Sequence, residues 1–354
     1  MPRATIKDIA NALTLSPSTV SRALADDPSI NAETRRRVSE TARRLGYRRN
    51  SLASSLRRGR TQSVGLVLSE FTSPFTCVVA EGILQYMYQR GVRVMSASSY
   101  YDPQRELSHL QMMEQSMVDG IIFLFSDPVT NYNEFRRLSE SRFPMVFIGS
   151  YPDGLPVARI TADVRNRAFF LFDHLLYQGY RRIAVIDTPP NIGLPGELIA
   201  AYRDALDKYH LDFDPRLTGT SFPTPADGIA VVNHLVREKI DFDCIVTYAD
   251  YMAVGILMRL RELGFKVPEQ VAMATLYGTP MSRLITPQLT TMETPLLDMG
   301  RLAAQMLLDQ IDSPDMAPQH HFIDLRLKIR SSTVVGSSFE TPFLVPWGTG
   351  RPTS

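Results

Sequence analysis

Short apolar segments alternate with stretches of helical periodicity from residue 62 to residue 333, and this alternation constrains the fold most strongly. Such segments, rich in Val and Ile, are typical of strands buried on both faces of a parallel sheet, so we predict an α/β body. About 270 residues are many for one sheet, which favours two lobes with a ligand between them. The predicted strands are Val64 to Leu68, Val92 to Ser96, Ile121 to Phe125, Met145 to Ile148, Ile183 to Ile186, Cys244 to Thr247 and Val271 to Ala274.

Basic charge is concentrated at the N-terminal end of the chain. Residues 1 to 60 hold 13 Lys and Arg against 5 Asp and Glu, whereas the other 294 residues hold 25 basic and 32 acidic side chains. The formal net charge of +1 hides this division. A small cationic segment on an acidic body is typical of a protein whose one part contacts a polyanion. An ordinary solvated face would scatter its arginines.

Three short helices are predicted within this basic segment. Thr5, Ser16 and Asn31 stand where N-caps are expected, and Pro17 occupies the first helical position after Ser16. The third helix should stop at Gly46. The apolar residues expected to form the shared core are Ile6, Ile9, Ala10, Leu13, Val20, Ala23, Leu24, Val38, Ala42 and Leu45.

Only Thr14 and Leu15 separate the first two helices, which permits little except a sharply angled, helix-turn-helix pair. The second helix turns Pro17, Ser18, Ser21 and Arg22 outward. A guanidinium matches the O6/N7 edge of guanine in a major groove, and hydroxyls suit phosphates or base edges. The spacing also fits a three-helix module that binds protein, because short turns between helices are common.

Ordered sequence runs extend through this segment: ATIKDIA from residue 4, LSPSTVSRAL from 15, ETR from 33, LGY from 45 and NSLASSLRRG from 50. They resemble the DNA-binding head of the lac repressor (LacI/GalR) family of bacterial transcription regulators, and the resemblance continues to about Thr333. It implies a homodimer whose two heads read palindromic operator DNA, each through Pro17, Ser18 and Arg22 on a recognition helix. The phosphate-positioning residues that it implies are Thr5, Ser16, Thr19, Ser21 and Asn50.

Residues 50 to 58 show helical apolar spacing at Leu52, Ala53 and Leu56 but are too few to form a stable helix alone in water. In the resembling family this segment is a hinge helix that orders on operator DNA. The resemblance therefore places Leu56 as a wedge in the minor groove, with Ala53 and Arg57 against the DNA beside it. A linker whose leucine packs on the body is the alternative. Arg49 departs from the family pattern, which usually has proline there.

The resemblance also implies the domain organisation. Residues 1 to 48 form the helix-turn-helix domain, 49 to 61 the hinge helix and linker, and 62 to 333 a bilobal, periplasmic-binding-protein-like body for effector binding and dimerisation. Asp163-Val164 and Thr290 to Glu293 are interpreted as crossovers between the lobes. Residues 334 to 354 form a Gly/Pro-rich tail to which we assign no function.

Ligands of open parallel sheets bind at the carboxyl ends of the strands, and here these ends are rich in Phe and Tyr. Sugar-responsive family members fix hydroxyl groups with an arginine, an Asn-Asp pair and an aspartate, where this chain has Leu198, Ala249-Asp250 and Tyr277. Each lost hydrogen bond would cost a sugar ~1 to 3 kcal/mol, which argues against a free hexose. The candidate effector-binding residues are Phe71, Ser73, Phe75, Ser126, Tyr151, Asn191, Leu198, Phe222, Ala249, Asp250 and Tyr277.

Three interpretations of this cleft stay open. The effector is a less polar or aromatic molecule that stacks on the rings, or it is a carbohydrate held by Ser73, Ser126, Asn191 and Asp250. Alternatively the cleft has lost small-molecule control, which leaves a constitutive or protein-controlled regulator. We place the altered small-molecule effector first.

Enzymatic functions find little support. The chain has no GxGxxG after a strand, no GxxxxGK[ST], no GxSxG and no HExxH, and its six histidines do not cluster. We expect no catalytic residues, no metal and no cofactor. A cytosolic solute-binding or enzymatic α/β protein with a protein-docking head is the alternative function. Without a long apolar run or an apolar N-terminal stretch, a cytoplasmic protein with no membrane contact is expected.

Cys77 and Cys244 are predicted to be buried thiols.

Overall fold

The computed structural model describes residues 4–47, 60–189, 192 and 194–334, and the chain divides into two compact units between Thr61 and Gln62. The first unit holds α1 (Ile6–Leu13), α2 (Pro17–Ala23) and α3 (Ala32–Arg44). Each helix packs on the other two. Their buried core consists of Ile9, Ala10, Val20, Ala23, Val38 and Ala42.

The predicted caps are confirmed. The Ser16 hydroxyl accepts a hydrogen bond from the Thr19 N–H at 3.1 Å, and the Asn31 Oδ1 accepts one from the Thr34 N–H at 2.8 Å. Thr5 caps α1. One core prediction was wrong: Leu45 is 38% exposed, because it is the C-cap residue of α3 and lies beyond its last buried turn.

The second unit contains two lobes, each built on a six-stranded sheet. The first lobe has an all-parallel sheet in the order β11-β5-β4-β3-β1-β2. Its strands are β1 (Ser63–Leu68), β2 (Arg93–Ser98), β3 (Ile121–Leu124), β4 (Met145–Ile148), β5 (Ala158–Ala162) and β11 (His320–Ile323). Its helices are α4 (Pro74–Gln89), α5 (Pro103–Gln115), α6 (Tyr132–Glu140) and α11 (Leu296–Asp312).

The second lobe has the strand order β12-β10-β9-β8-β6-β7, and only β12 runs antiparallel to its neighbour. Its strands are β6 (Ile183–Asp187), β7 (Thr218–Thr220), β8 (Cys244–Ala249), β9 (Ala272–Gly278), β10 (Thr290–Glu293) and β12 (Arg326–Lys328). Its helices are α7 (Val164–Tyr177), α8 (Glu197–Lys208), α9 (Pro225–Arg237) and α10 (Asp250–Glu262). The α/β fold with parallel sheets is therefore as predicted.

Within the described residues, the chain passes between the two sheets three times. The first passage follows β5 at Asp163, which caps α7, as predicted. Thr290 to Glu293, predicted as a crossover, is instead strand β10, and the chain leaves the second sheet after it. A third passage joins β11 to β12 and was not predicted. It gives each sheet one strand from the C-terminal part of the chain.

Two pairs of glycines allow close contact between helices. A Cβ on Gly82 of α4 would lie 2.2 Å from the Leu297 carbonyl oxygen, and one on Gly300 of α11 would lie 2.1 Å from that of Val79. In the second lobe, a Cβ on Gly228 of α9 would lie 2.4 Å from the Met252 carbonyl oxygen, and one on Gly255 of α10 would lie 1.9 Å from that of Pro225. These helices therefore touch backbone to backbone.

We expect Gly255→Ala to lower the free energy of unfolding by ~1 to 3 kcal/mol, because the added methyl would force α9 and α10 apart. Gly219→Ala is the matched control, since a Cβ there meets nothing within 4 Å. Urea unfolding of both variants would measure the difference. Equal stability of the two variants would contradict the close helix contact.

The two cysteines differ in environment. Cys244 is buried, as predicted. Cys77 is exposed, so the prediction of a buried thiol was wrong there: it lies on the outward face of α4, and its Sγ donates to the Phe71 carbonyl oxygen at 3.0 Å. In the described part of the chain no helix has both the length and the apolar character needed to cross a membrane.

Candidate functional site

The predicted recognition helix presents a polar row. Ser16, Pro17, Ser18 and Arg22 are exposed, whereas Thr19 and Ser21 are half-buried. Val20 and Ala23 lie in the core and fix the orientation of the helix. The turn before it begins at Thr14, whose positive φ of 56° reverses the chain direction at the end of α1.

Two of the predicted phosphate-contacting hydroxyls already have partners. The Thr5 hydroxyl donates to Asp8 Oδ2 at 2.8 Å, and the same two residues form the capping box of α1 through their backbone N–H groups. The Ser16 oxygen lies 2.8 Å from the hydroxyl oxygens of both Ser18 and Thr19. Hydroxyl groups can exchange such partners for a phosphate oxygen, so the phosphate contacts of Thr5 and Ser16 stay predictions. Asn50, Ala53, Leu56 and Arg57 lie outside the described residues.

Arg22 lies in a mixed electrostatic environment at the end of α2. The pKa of Asp27 is lowered chiefly by its hydrogen bonds with Ser29, and to a smaller extent by the charges of Arg22 and Arg35. The Ser29 N–H donates to Asp27 Oδ1 at 2.9 Å. Asp27 is thus held by the backbone, and the Arg22 guanidinium is left exposed to solvent.

Aromatic rings from both lobes meet between the two sheets. Phe75 and Phe125 of the first lobe have ring centroids 5.3 Å apart, and Phe75 lies 5.4 Å from Tyr277 of the second lobe. Tyr277 in turn lies 5.0 Å from Tyr248. We call these four residues the interlobe aromatic cluster. The structure thus brings together two predicted residues, Phe75 and Tyr277, with two that the sequence did not single out.

A second ring contact joins the lobes. Tyr101, which follows β2, has its centroid 5.8 Å from that of Phe222, which follows β7. Burial raises the pKa of Tyr101 to about 12, and its hydroxyl lies beside the side chains of Ser69 and Glu70. Phe222 is 41% exposed, so this contact has one face in solvent.

Other predicted effector residues lie apart from the cluster or serve the fold. Leu198 is fully buried in the core that spans the cleft. Tyr151 packs within the first lobe, where the Arg159 guanidinium lies 4.4 Å from its ring centroid. Phe71 is exposed, and Ser73 and Ala249 are the N-cap residues of α4 and α10. Asn191 lies outside the described residues.

Asp250 is engaged by its own lobe. Its Oδ2 accepts hydrogen bonds from the Thr279 N–H at 2.6 Å, the Thr279 hydroxyl at 2.8 Å and the Ser282 hydroxyl at 2.6 Å. Burial raises its pKa, and these bonds oppose that shift. The carboxylate therefore fastens the turn Pro280–Arg283 behind β9, a role that the sequence prediction missed.

Two buried hydroxyls at the carboxyl ends of adjacent strands lack partners. Ser126 follows β3 and Ser150 follows β4, and they are 2% and 4% exposed. Among the described residues neither hydroxyl oxygen has a hydrogen-bond partner. Such groups call for a ligand or water. Ser126 was predicted; Ser150 was missed, although it occupies the same position after its strand.

Buried carboxylates accept hydrogen bonds from the loops at the carboxyl ends of the strands. Asp187 accepts from the N–H groups of Thr188 at 2.7 Å and Gly196 at 3.1 Å, and Glu70 accepts from those of Thr72 and Ser73, both at 2.7 Å. Both were missed as organising residues. Their signal is an acidic residue at the carboxyl end of a buried strand or within two residues of it. In the described ranges, no three His, Cys, Asp or Glu side chains are grouped so that they could hold a metal ion.

Comparison with known proteins agrees with this architecture. Residues 5–50 match the family model described as bacterial regulatory proteins, lacI family, and residues 172–333 match the periplasmic binding protein-like domain. The chain is similar to catabolite control protein A of Priestia megaterium, with 27% identity over 93% of this chain and 99% of that protein. It is also similar to the ribose operon repressor of Bacillus subtilis, with 28% identity over 89% of this chain and 94% of that protein.

The fold agrees with a solved structure as well. The lac repressor dimer bound to operator and the anti-inducer ONPF superposes with a TM-score of 0.81, covering 94% of this chain and 100% of that one. Sequence identity in this pair is 19%, so the similarity concerns the fold.

Proposed function

Because the chain belongs to the LacI family of bacterial regulatory proteins, we propose that it is a homodimeric repressor that binds palindromic operator DNA under the control of a small effector. The observation that carries this proposal is the first unit. There, α2 follows α1 after a short turn and presents Pro17, Ser18 and Arg22 from a helix fixed by its own core. The alternative of an enzyme or solute carrier with a protein-docking head is not favoured.

In the proposed complex, α2 enters the major groove and Arg22 pairs with a guanine edge. Thr5, Ser16, Thr19 and Ser21 then lie near the start or along the outer side of their helices, where they can contact phosphates. We expect Asn50, Ala53, Leu56 and Arg57 to contact the DNA between the half-sites, with Leu56 opening a minor-groove step. The protein acts in the cytoplasm, where its operator lies.

Two copies of the head are needed to read a palindrome, so the body has to associate with a second body. Large apolar side chains on α4 and α10 support self-association: Leu84, Tyr88 and Met258 are exposed in the single chain. Water would be displaced from them in a dimer.

For the effector we propose a small molecule other than a free hexose. Leu198 supplies no hydrogen bond, and the Oδ2 atom of Asp250 already takes three from its own lobe. The unpartnered hydroxyls of Ser126 and Ser150 are available to a ligand that enters between the lobes. Such a ligand would change operator affinity through its different affinity for the two states of the body. No catalytic step and no cofactor are needed.

We expect Arg22→Ala to relax base preference at one position of each half-site, at a cost of ~1 to 3 kcal/mol per site. Competition binding to operators with single base changes, at fixed salt, would measure the preference. Arg22→Lys is the matched control: it keeps the charge but not the planar fork, so it should also lose the preference while binding phosphates. An unchanged base preference in both variants would show that Arg22 does not contact a base.

Nuclease footprinting on the DNA that flanks the protein's own gene tests the proposed function. We expect protection of a palindromic site by the wild-type protein. The proposed function would be refuted if no site were protected at any protein concentration up to the one at which the protein covers all of the DNA non-specifically.

A further inference from the structure

The interlobe aromatic cluster closes the cleft with side chains of the chain itself. Phe75, Tyr248 and Tyr277 are 7%, 6% and 8% exposed, and the three belong to one apolar core that includes buried residues of both lobes. The core is therefore continuous across the cleft. Moving the lobes apart would expose the facing surfaces of Phe75 and Tyr277 to water, which opposes opening.

The backbone around Phe125 is arranged to hold its ring in this place. Phe125 has a positive φ of 55°, which is strained for an aromatic residue, at the point where β3 ends. A Cβ on Gly149 would lie 2.5 Å from the Phe125 ring, so only glycine leaves room for it there. Residues on two adjacent strands thus accommodate one ring of the cluster.

We propose that the interlobe aromatic cluster is a latch that holds the two lobes together in the absence of any ligand. This inference rests on the proposed function, because the latch governs the same cleft. Tyr101 and Phe222 add a second contact nearer the solvent. Ser126 and Ser150 are buried and follow Phe125 and Gly149 directly in the chain, so in this proposal an effector reaches their hydroxyls only after Phe75 has parted from Tyr277. Its apparent affinity is therefore reduced by the small fraction of molecules that are open.

Chemical rescue of a truncated ring tests the latch. Tyr277→Ala removes the second-lobe partner of Phe75 and leaves a space that phenol, the free form of the ring and hydroxyl that are lost beyond Cβ, would fill. Phe135→Ala is the matched control. Its ring is fully buried but packs on Phe123 and Phe147, which belong to the first lobe alone. Phe75→Leu is the milder variant if Tyr277→Ala does not fold.

Hydrogen exchange reports opening without reference to DNA. In Tyr277→Ala or Phe75→Leu, we expect the amides of residues 125–127 in the first lobe and 275–279 in the second to exchange ~10-fold faster or more. For Tyr277→Ala, phenol should restore the wild-type rates in both lobes. Phe135→Ala should leave residues 275–279 unchanged. The latch is refuted if the cluster variants leave one lobe unaffected, or if Phe135→Ala produces the same two-lobe pattern.

Operator binding supplies a second measurement on the same proteins. We expect the cluster variants to change operator affinity ~5-fold or more in one direction, since coupling between sites is usually of this size, and Phe135→Ala to leave it unchanged. Unchanged affinity in cluster variants whose two lobes open would refute control of the DNA-binding state by the latch. If wild-type protein binds no operator while the exchange pattern is as expected, the proposed function fails and the latch stands.

Discussion

We expect Asp250→Ala to lower the free energy of unfolding of the ligand-free protein by ~3 to 5 kcal/mol, since a buried donor left without its acceptor costs ~1 to 3 kcal/mol. The substitution leaves two donors of Thr279 and one donor of Ser282 without their acceptor. Both residues are buried, so water cannot replace the carboxylate readily. The loss would fall on the loop that follows Tyr277.

Urea unfolding at neutral pH measures this loss, with Asp241→Ala as the matched control. Asp241 pairs with Arg182 at the surface, where both side chains are at least half exposed, so its removal should cost less than ~1 kcal/mol. A residue that served only as a ligand anchor would be dispensable in the absence of ligand. Equal stability of the two variants would therefore favour the anchor role over the structural one.

Stability should also depend on pH through Glu106, which is buried on α5. Burial raises the pKa of Glu106 from 4.5 to about 7, and the nearby charge of Asp127 adds to this shift. Glu106 Oε1 accepts from Asn131 Nδ2 at 2.9 Å, and Oε2 accepts from the Asp127 N–H at 3.2 Å. These bonds join α5 to the loop that carries Ser126.

The folded state binds the Glu106 proton more tightly than the unfolded state does. The stabilisation is therefore complete below pH 4.5 and is lost as the pH rises towards about 7. At ~1.4 kcal/mol per pKa unit it amounts to ~3 kcal/mol. Unfolding free energies of wild type and Glu106→Gln between pH 4.5 and 8 would measure it: the difference between the two proteins should change by this amount. A constant difference would contradict the raised pKa.

The sequence predicts those parts of the fold that are set locally. The caps Thr5, Ser16 and Asn31 act within one helical turn. All seven predicted strands form: six are buried along nearly their whole length, and the seventh, β2, is a partly exposed strand at the sheet edge. Strands β7, β11 and β12 escaped prediction because they are short and lie at sheet edges, and β5, which is short and lies beside β11, escaped it too. Thr290 to Glu293 was misread because partners that identify it as a strand lie far along the chain: Thr290 exchanges hydrogen bonds with Arg330, and Thr291–Glu293 pair with Arg326–Lys328.

The site was predicted in composition but not in arrangement. Phe75 and Tyr277 were recognised as cleft residues from their places after strands. Their contact depends on how closely the lobes approach, which no local pattern encodes. The binding of Asp250 by Thr279 and Ser282 likewise needs a loop 29 to 32 residues away. Phe125 and Tyr248 lie at strand ends where ligands are expected, but they were not chosen as candidate effector residues, because their place in the sequence does not show that their rings face the other lobe.

The central claim is that the first unit reads the sequence of double-stranded DNA. Equilibrium binding of the purified full-length protein to its footprinted site and to random duplex, over a range of salt concentrations, tests this most directly. We predict a preference of ~10³-fold or more for the site, together with weaker binding as salt rises, by ~0.9 log unit per phosphate contact for each tenfold increase. Equal affinity for both duplexes at every salt concentration would contradict the account.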